Sequence, residues 1–152
     1  MNKKISIIGQ GPENTIINGG GVSRVFYING ENNNESYVSI ENLTITNGYA
    51  HEESIGSYSE QGGAVMVQES ALLLENLVIY DNHSSNGIGA IRSHYSDLII
   101  RNSLIHSNDV LDWHTTGGIK VSFTNLQIEN STIVNNEEVS LEIDYDFGGR
   151  KL

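Results

Sequence analysis

At 152 residues the chain is the size of one domain, able to bury roughly 68–70% of its unfolded surface around a single core. Its net charge of −11 argues against nucleic acid and anionic membranes as partners, because proteins that bind phosphate backbones show a basic face. With one proline and no cysteine, neither proline stiffening nor disulfides hold the fold, and no run approaches the ~18 apolar residues of a membrane-spanning helix.

The N-terminus starts with the basic pair Lys3-Lys4, but the apolar stretch Ile5 to Ile8 is shorter than the about 7–15 residues of a signal-peptide core. It reads as a strand, so export would need a leader that this chain lacks. Ile5-Ser-Ile and Thr15-Ile-Ile, flanking Gly9 to Asn14, make a first coil. A unit then recurs four times: Val38-Ser-Ile-Glu-Asn-Leu-Thr-Ile-Thr-Asn47, Leu72-Leu-Leu-Glu-Asn-Leu-Val-Ile-Tyr-Asp81, Leu98-Ile-Ile-Arg-Asn-Ser-Leu-Ile-His-Ser107 and Leu126-Gln-Ile-Glu-Asn-Ser-Thr-Ile-Val-Asn135. Aligned, the copies hold Val38, Leu72, Leu98 and Leu126 in one column, Ile40, Leu74, Ile100 and Ile128 in the next, and Ile45, Ile79, Ile105 and Ile133 in a third. Apolar and polar residues alternate, as strand geometry requires.

Asn42, Asn76, Asn102 and Asn130 form a further column, stepping by 34, 26 and 28 residues. Constant columns with unequal steps mean that loops of variable length interrupt a fixed cross-section, which is how a solenoid behaves. Each Asn falls where one strand must bend into the next, and Asn tolerates left-handed dihedrals. The expectation is an internal ladder of amides along this column.

A second element precedes three of the copies: Gly62-Gly63-Ala64-Val65-Met66-Val67, Gly87-Ile88-Gly89-Ala90-Ile91-Arg92 and Gly117-Gly118-Ile119-Lys120-Val121. Its glycines let the chain turn tightly. The segment Val139 to Tyr145 then reads as a partial last coil. Neither end is capped by an obvious device, which suggests a fragment of a longer β-helix, or ends covered by further coils or another subunit. The alternative is that Asp144 to Leu152 folds over the end as an irregular cap, with Tyr145 and Phe147 as plugs.

The pairing of Gly62-Gly-Ala-Val65 with the later Glu75-Asn-Leu77 unit, and the opening Ile7-Ile-Gly-Gln-Gly-Pro-Glu-Asn-Thr-Ile-Ile-Asn-Gly-Gly-Gly21, resemble the right-handed β-helix repeats of the pectate-lyase-like superfamily. Similar repeats occur in bacterial polymorphic outer-membrane proteins. The resemblance spans nearly the whole chain and implies an all-β, right-handed parallel β-helix in one domain, residues 1–152, with about five to six three-strand coils. At about 4.8 Å per coil this is a rod roughly 25–30 Å long. It further implies placement outside the cell and dealings with polysaccharides or surfaces. The shared residues are architectural, so no activity follows from them.

A site on such a rod is read down its outward columns. Met66, Arg92, Lys120 and Glu142 share one column, and Gln68, His94 and Ser122 another. Loops add Tyr58 on one side, and Asp109, Asp112, Trp113 and His114 on the other. A glycan cleft here would pair Arg92 and Lys120 with uronate carboxylates, stack a sugar on Trp113 or Tyr58 with His114 beside it, and hold Ca²⁺ on Asp109 and Asp112 through oxygen ligands. For a lyase the base would come from Arg92, His94 or Lys120. Against this, Arg92, Lys120 and Glu142 read more simply as a solvated charge column, worth under about 1 kcal/mol per exposed pair.

The histidines His83, His94, His106 and His114 fall in different columns, without the shared-face spacing of a metal site. Asp81 and His83 adjoin His106 one coil on, which suggests an acid–base pair lacking a nucleophile. Glycosylation-like triplets begin at Asn34, Asn42, Asn82 and Asn130, of which Asn42 and Asn130 would be hidden by the expected ladder. No cofactor is required by any pattern, and Ca²⁺ is the one the loop carboxylates suit.

Two functions follow as expectations. The first is a non-catalytic segment of a secreted or cell-surface protein, acting as rigid scaffold or glycan-binding module. The alternative is a polysaccharide lyase or glycoside hydrolase with its cleft along Arg92 and Lys120.

Overall fold

The computed structural model describes residues 4–30, 36–51, 61–85, 87–111 and 116–144. The described residues contain strands and turns and no helix, so no helix is long and apolar enough to cross a membrane. Every ladder between strands is parallel, and three sheets run along the rod.

The eight-stranded sheet contains β1 (Lys4–Ile8), β2 (Ile16–Asn18), β4 (Tyr37–Thr46), β7 (Ala71–Tyr80), β10 (Asp97–Arg101), β11 (Leu104–His106), β14 (Asn125–Glu129) and β15 (Thr132–Val134). A short sheet joins β5 (Tyr49–Ala50), β8 (His83–Ser84) and β12 (Asp109–Val110). The five-stranded sheet runs through β3 (Phe26–Asn29), β6 (Val65–Gln68), β9 (Ile91–His94), β13 (Ile119–Ser122) and β16 (Leu141–Asp144). Each of its strands belongs to one coil, so the described residues make five coils. Leu141–Asp144 pairs with β13 and completes the fifth coil, within the five to six expected.

The repeat alignment is the observed register: Val38 pairs with Leu72, Leu98 with Leu72 and Leu126, and Ile79 with Ile45 and Ile105. Ile40, Leu74 and Ile100, like Ile45, Ile79 and Ile105, are fully buried. They form one continuous core with Val65, Ile91 and Ile119 from the facing sheet. Glycine is needed where this cross-section is tightest. A Cβ on Gly63 would lie 2.2 Å from the carbonyl oxygen of His83, and one on Gly89 2.3 Å from that of Asp109.

The asparagine column is at the surface. Asn42, Asn76, Asn102 and Asn130 adopt φ of 57°, 53°, 50° and 46°, which bends the first sheet into two limbs, and none of them is buried. Asn76 donates to Asn42 at 2.7 Å in the open. The internal ladder runs instead through Asn82, Asn108 and Asn136, which are 0%, 0% and 8% exposed. Asn82 Nδ2 donates to Asn108 Oδ1 at 2.9 Å, and Asn108 Nδ2 to Asn136 Oδ1 at 2.8 Å. The same amides bond to the core strands through the carbonyls of Ile45, Ile79 and Ile105. One coil earlier the place is taken by Gly48, whose N–H donates to Asn82 Oδ1. The ladder follows the second bend of each coil, where polar backbone enters the core and needs partners. The glycosylation-like triplets reverse accordingly: Asn82 is inaccessible and Asn130 is exposed.

Candidate functional site

The five-stranded sheet puts the chosen side chains in register. Tyr27, Met66, Arg92, Lys120 and Glu142 stand side by side on consecutive strands, as do Asn29, Gln68, His94, Ser122 and Asp144. Their exposure is uneven. Tyr27 is 58% exposed, whereas Met66 and Arg92 are 1% and 5% exposed.

Arg92 was expected on an open face, yet its guanidinium is bound up within the protein. Nε donates to Gln61 Oε1 at 3.0 Å, and Nη1 to the carbonyl of Ser93 and to Ser122 Oγ at 3.1 and 2.9 Å. Lys120 is half-buried and pairs with Glu142 Oε1 at 2.9 Å. Glu142 also accepts a hydrogen bond from Thr116 Oγ1. This bond, then Lys120 and Arg92, hold its carboxyl below the usual range against the opposing effect of burial.

His94 is buried, with its ring edge-on to Tyr95 and Phe123 and Nδ1 3.5 Å from Arg92 Nη2. Burial foremost, then the Arg92 charge, lowers its pKa below the ordinary histidine value, with Glu69 opposing. The imidazole is thereby kept neutral, the form a base requires, but it is withheld from solvent by the same burial.

On the short sheet, Tyr49, His83 and Asp109 are neighbours, and His83 Nδ1 bonds Asp109 Oδ1. His83 therefore finds its carboxylate in Asp109, where Asp81 and His106 were expected to join it. His106 stacks on Tyr80 at 5.5 Å. Tyr58, Asp112, Trp113 and His114 lie outside the described residues. Among the described residues no three His, Asp or Glu gather in a group that suits a metal ion.

Sequence reasoning missed a third corner. Between the end of one coil and the start of the next, Glu69, Tyr95 and Phe123 take φ of 50°, 47° and 50°. Tyr95 and Phe123 stack with centroids 4.5 Å apart and planes 11° from parallel. The signal was present as two aromatics one repeat apart, each following an outward column.

The family model for a right-handed β-helix region matches residues 5–148. Neither a curated protein nor a solved structure matches the chain. With parallel ladders in three sheets and a match over nearly its whole length, the chain belongs to the right-handed β-helix family.

Proposed function

We propose that this β-helix is a non-catalytic module of a secreted or cell-surface protein, a rigid scaffold whose outward columns bind a glycan. The observation that carries this reading is the engagement of Arg92. A pectate-lyase-like enzyme needs a base that reaches the acidic C–H of a sugar, and Arg92 is 5% exposed with its Nε and Nη1 donating to Gln61, Ser93 and Ser122. His94 is buried beside it. Lys120 is tied to Glu142, which lowers its worth as a contact for a uronate. Ca²⁺ at Asp109 would have to compete with His83.

The alternative, a polysaccharide lyase or hydrolase working along Arg92 and Lys120, draws on the neutral His94 beside a guanidinium. Incubation with a panel of acidic polysaccharides and Ca²⁺, followed by the absorbance of unsaturated uronate products and a reducing-end assay, separates the two. The module reading expects neither signal. Either signal, lost in His94→Gln or Lys120→Ala, would replace it with the enzyme.

A further inference from the structure

We propose that the corner carrying Tyr95 and Phe123 is a carbohydrate platform that takes the ring face of a neutral sugar. This rests on the reading of the chain as a binding module and assigns that module a ligand class.

Three corners turn each coil. At two of them the residues with left-handed dihedrals are short and polar: Asn42, Asn76, Asn102 and Asn130 at one, Asn47, Asp81, Ser107 and Asn135 at the other. Such side chains adopt positive φ at low cost. Among the described residues the third corner instead places Glu69 at 50° and two aromatics, Tyr95 at 47° and Phe123 at 50°. A bulky side chain in this region is strained, and strain of this kind concentrates at functional sites. Tyr95 is also 54% exposed, so the corner bears an apolar surface in water as well. Mutual stacking returns part of both costs. An asparagine would serve the turn at less expense on each count.

The geometry suits a sugar. One face of Tyr95 lies on Phe123, and His94 meets both rings edge-on at 4.4 and 5.8 Å. Even with one face on Phe123 and Glu69 at the same corner of the preceding coil, Tyr95 keeps 54% of its surface exposed. A pyranose offers a face of C–H bonds that buries apolar area against such a ring, while its rim of hydroxyls needs acceptors. Glu69 lies in the same corner column. Asp97 and Asn125, two residues beyond the aromatics, are exposed and joined by a hydrogen bond of 2.7 Å. Carboxylates accept bonds from hydroxyls and repel uronates, and the chain carries a net charge of −11. The ligand class is thus a neutral glycan, held with little dependence on salt.

The test uses calorimetric titration of the whole chain with neutral gluco-, xylo-, manno- and galacto-oligosaccharides, and with uronate oligomers for comparison. The parent is expected to bind at least one neutral oligomer with the same affinity at low and high salt. Tyr95→Asn/Phe123→Asn should weaken that binding at least tenfold while melting at the same temperature as the parent or higher, because Asn relieves the strain. If the double variant unfolds, Tyr95→Asn alone should show the same loss. Neutral binding unchanged in the variants would overturn the platform and leave the module reading in place with its site elsewhere. Uronate binding without neutral binding would do the same. Binding to neither class would overturn both the platform and glycan binding, leaving only a scaffold.

Discussion

Asparagines of this chain do two different jobs, distinguished by φ and burial. Asn102 supplies a left-handed corner in solvent, whereas Asn108 closes backbone groups inside the rod. Asn102→Gly keeps the corner conformation and should change stability by less than about 0.5 kcal/mol. Asn108→Leu leaves the Asn82 N–H without its partner and removes the amide bond to the Ile79 carbonyl, and should cost about 3 kcal/mol. Urea denaturation at constant slope measures both; equal midpoints for the two variants would refute the assignment of the ladder. The repeat alignment found the amide column that was most regular, since it marks a bend in all four copies. It missed the buried one because Gly48 replaces Asn in one coil, and a glycine breaks a column of letters while its N–H keeps the hydrogen bond.

His94 and Glu142 carry the pH dependence of the candidate face. The folded-state pKa of His94 lies below the unfolded value of 6.5, so between the two the unfolded chain binds more protons. Stability is full above pH 6.5 and falls as pH drops through the folded pKa. His94→Gln should therefore flatten the melting temperature just below pH 6.5. The Glu142 carboxyl is also depressed from 4.5, so its contribution is present above pH 4.5 and lost as pH falls through the folded value. Thr116→Val removes the largest cause and should raise the Glu142 titration midpoint seen by NMR. A midpoint unmoved by this change would assign the shift to Lys120 and Arg92.

At the scale of elements, each strand is stabilised by the coils on either side of it. Ile105 is fully buried between Ile79 and Ile133, while Ile133, in the last coil, is only partly buried. Ile105→Ala should cost about 3–4 kcal/mol and Ile133→Ala about half of that, because a cavity opening to solvent leaves less to lose. Similar costs at both positions, read from chemical denaturation, would contradict stabilisation of each strand by the coils on either side. Strand columns were legible in the sequence because burial on every coil repeats the same Ile, Leu and Val. The state of the outward columns was not. Alternation shows that Arg92 leaves the core, but its burial depends on Gln61, a residue 31 positions away whose approach no period encodes. The aromatic corner was overlooked for the opposite reason, since among the described residues it recurs on two coils and not on four.

Among the described residues the inward columns are fully buried in the middle coils and more exposed in the first and last. The inward Ile91 and Ile119 are fully buried, but Ile5, Leu141 and Ile143 are 48%, 36% and 42% exposed. In a solenoid, stability is a sum over neighbouring coils, so the middle coils hold the terminal ones in place. The outward columns and the aromatic corner both depend on the register that sets one coil on the next. Because the chain has no cysteine, that register can be tested with paired substitutions and no competing thiol. Ile99 and Gln127 are partners on β10 and β14 with side chains directed away from the core, whereas Glu129 lies two residues out of step. Neighbouring Cα atoms on paired strands fall within disulfide reach, and a two-residue offset exceeds it. Under mild oxidation, Ile99→Cys/Gln127→Cys should form an intramolecular disulfide rapidly and Ile99→Cys/Glu129→Cys should not. Equal rates in the two variants, or faster closure in the second, would contradict the parallel in-register stack.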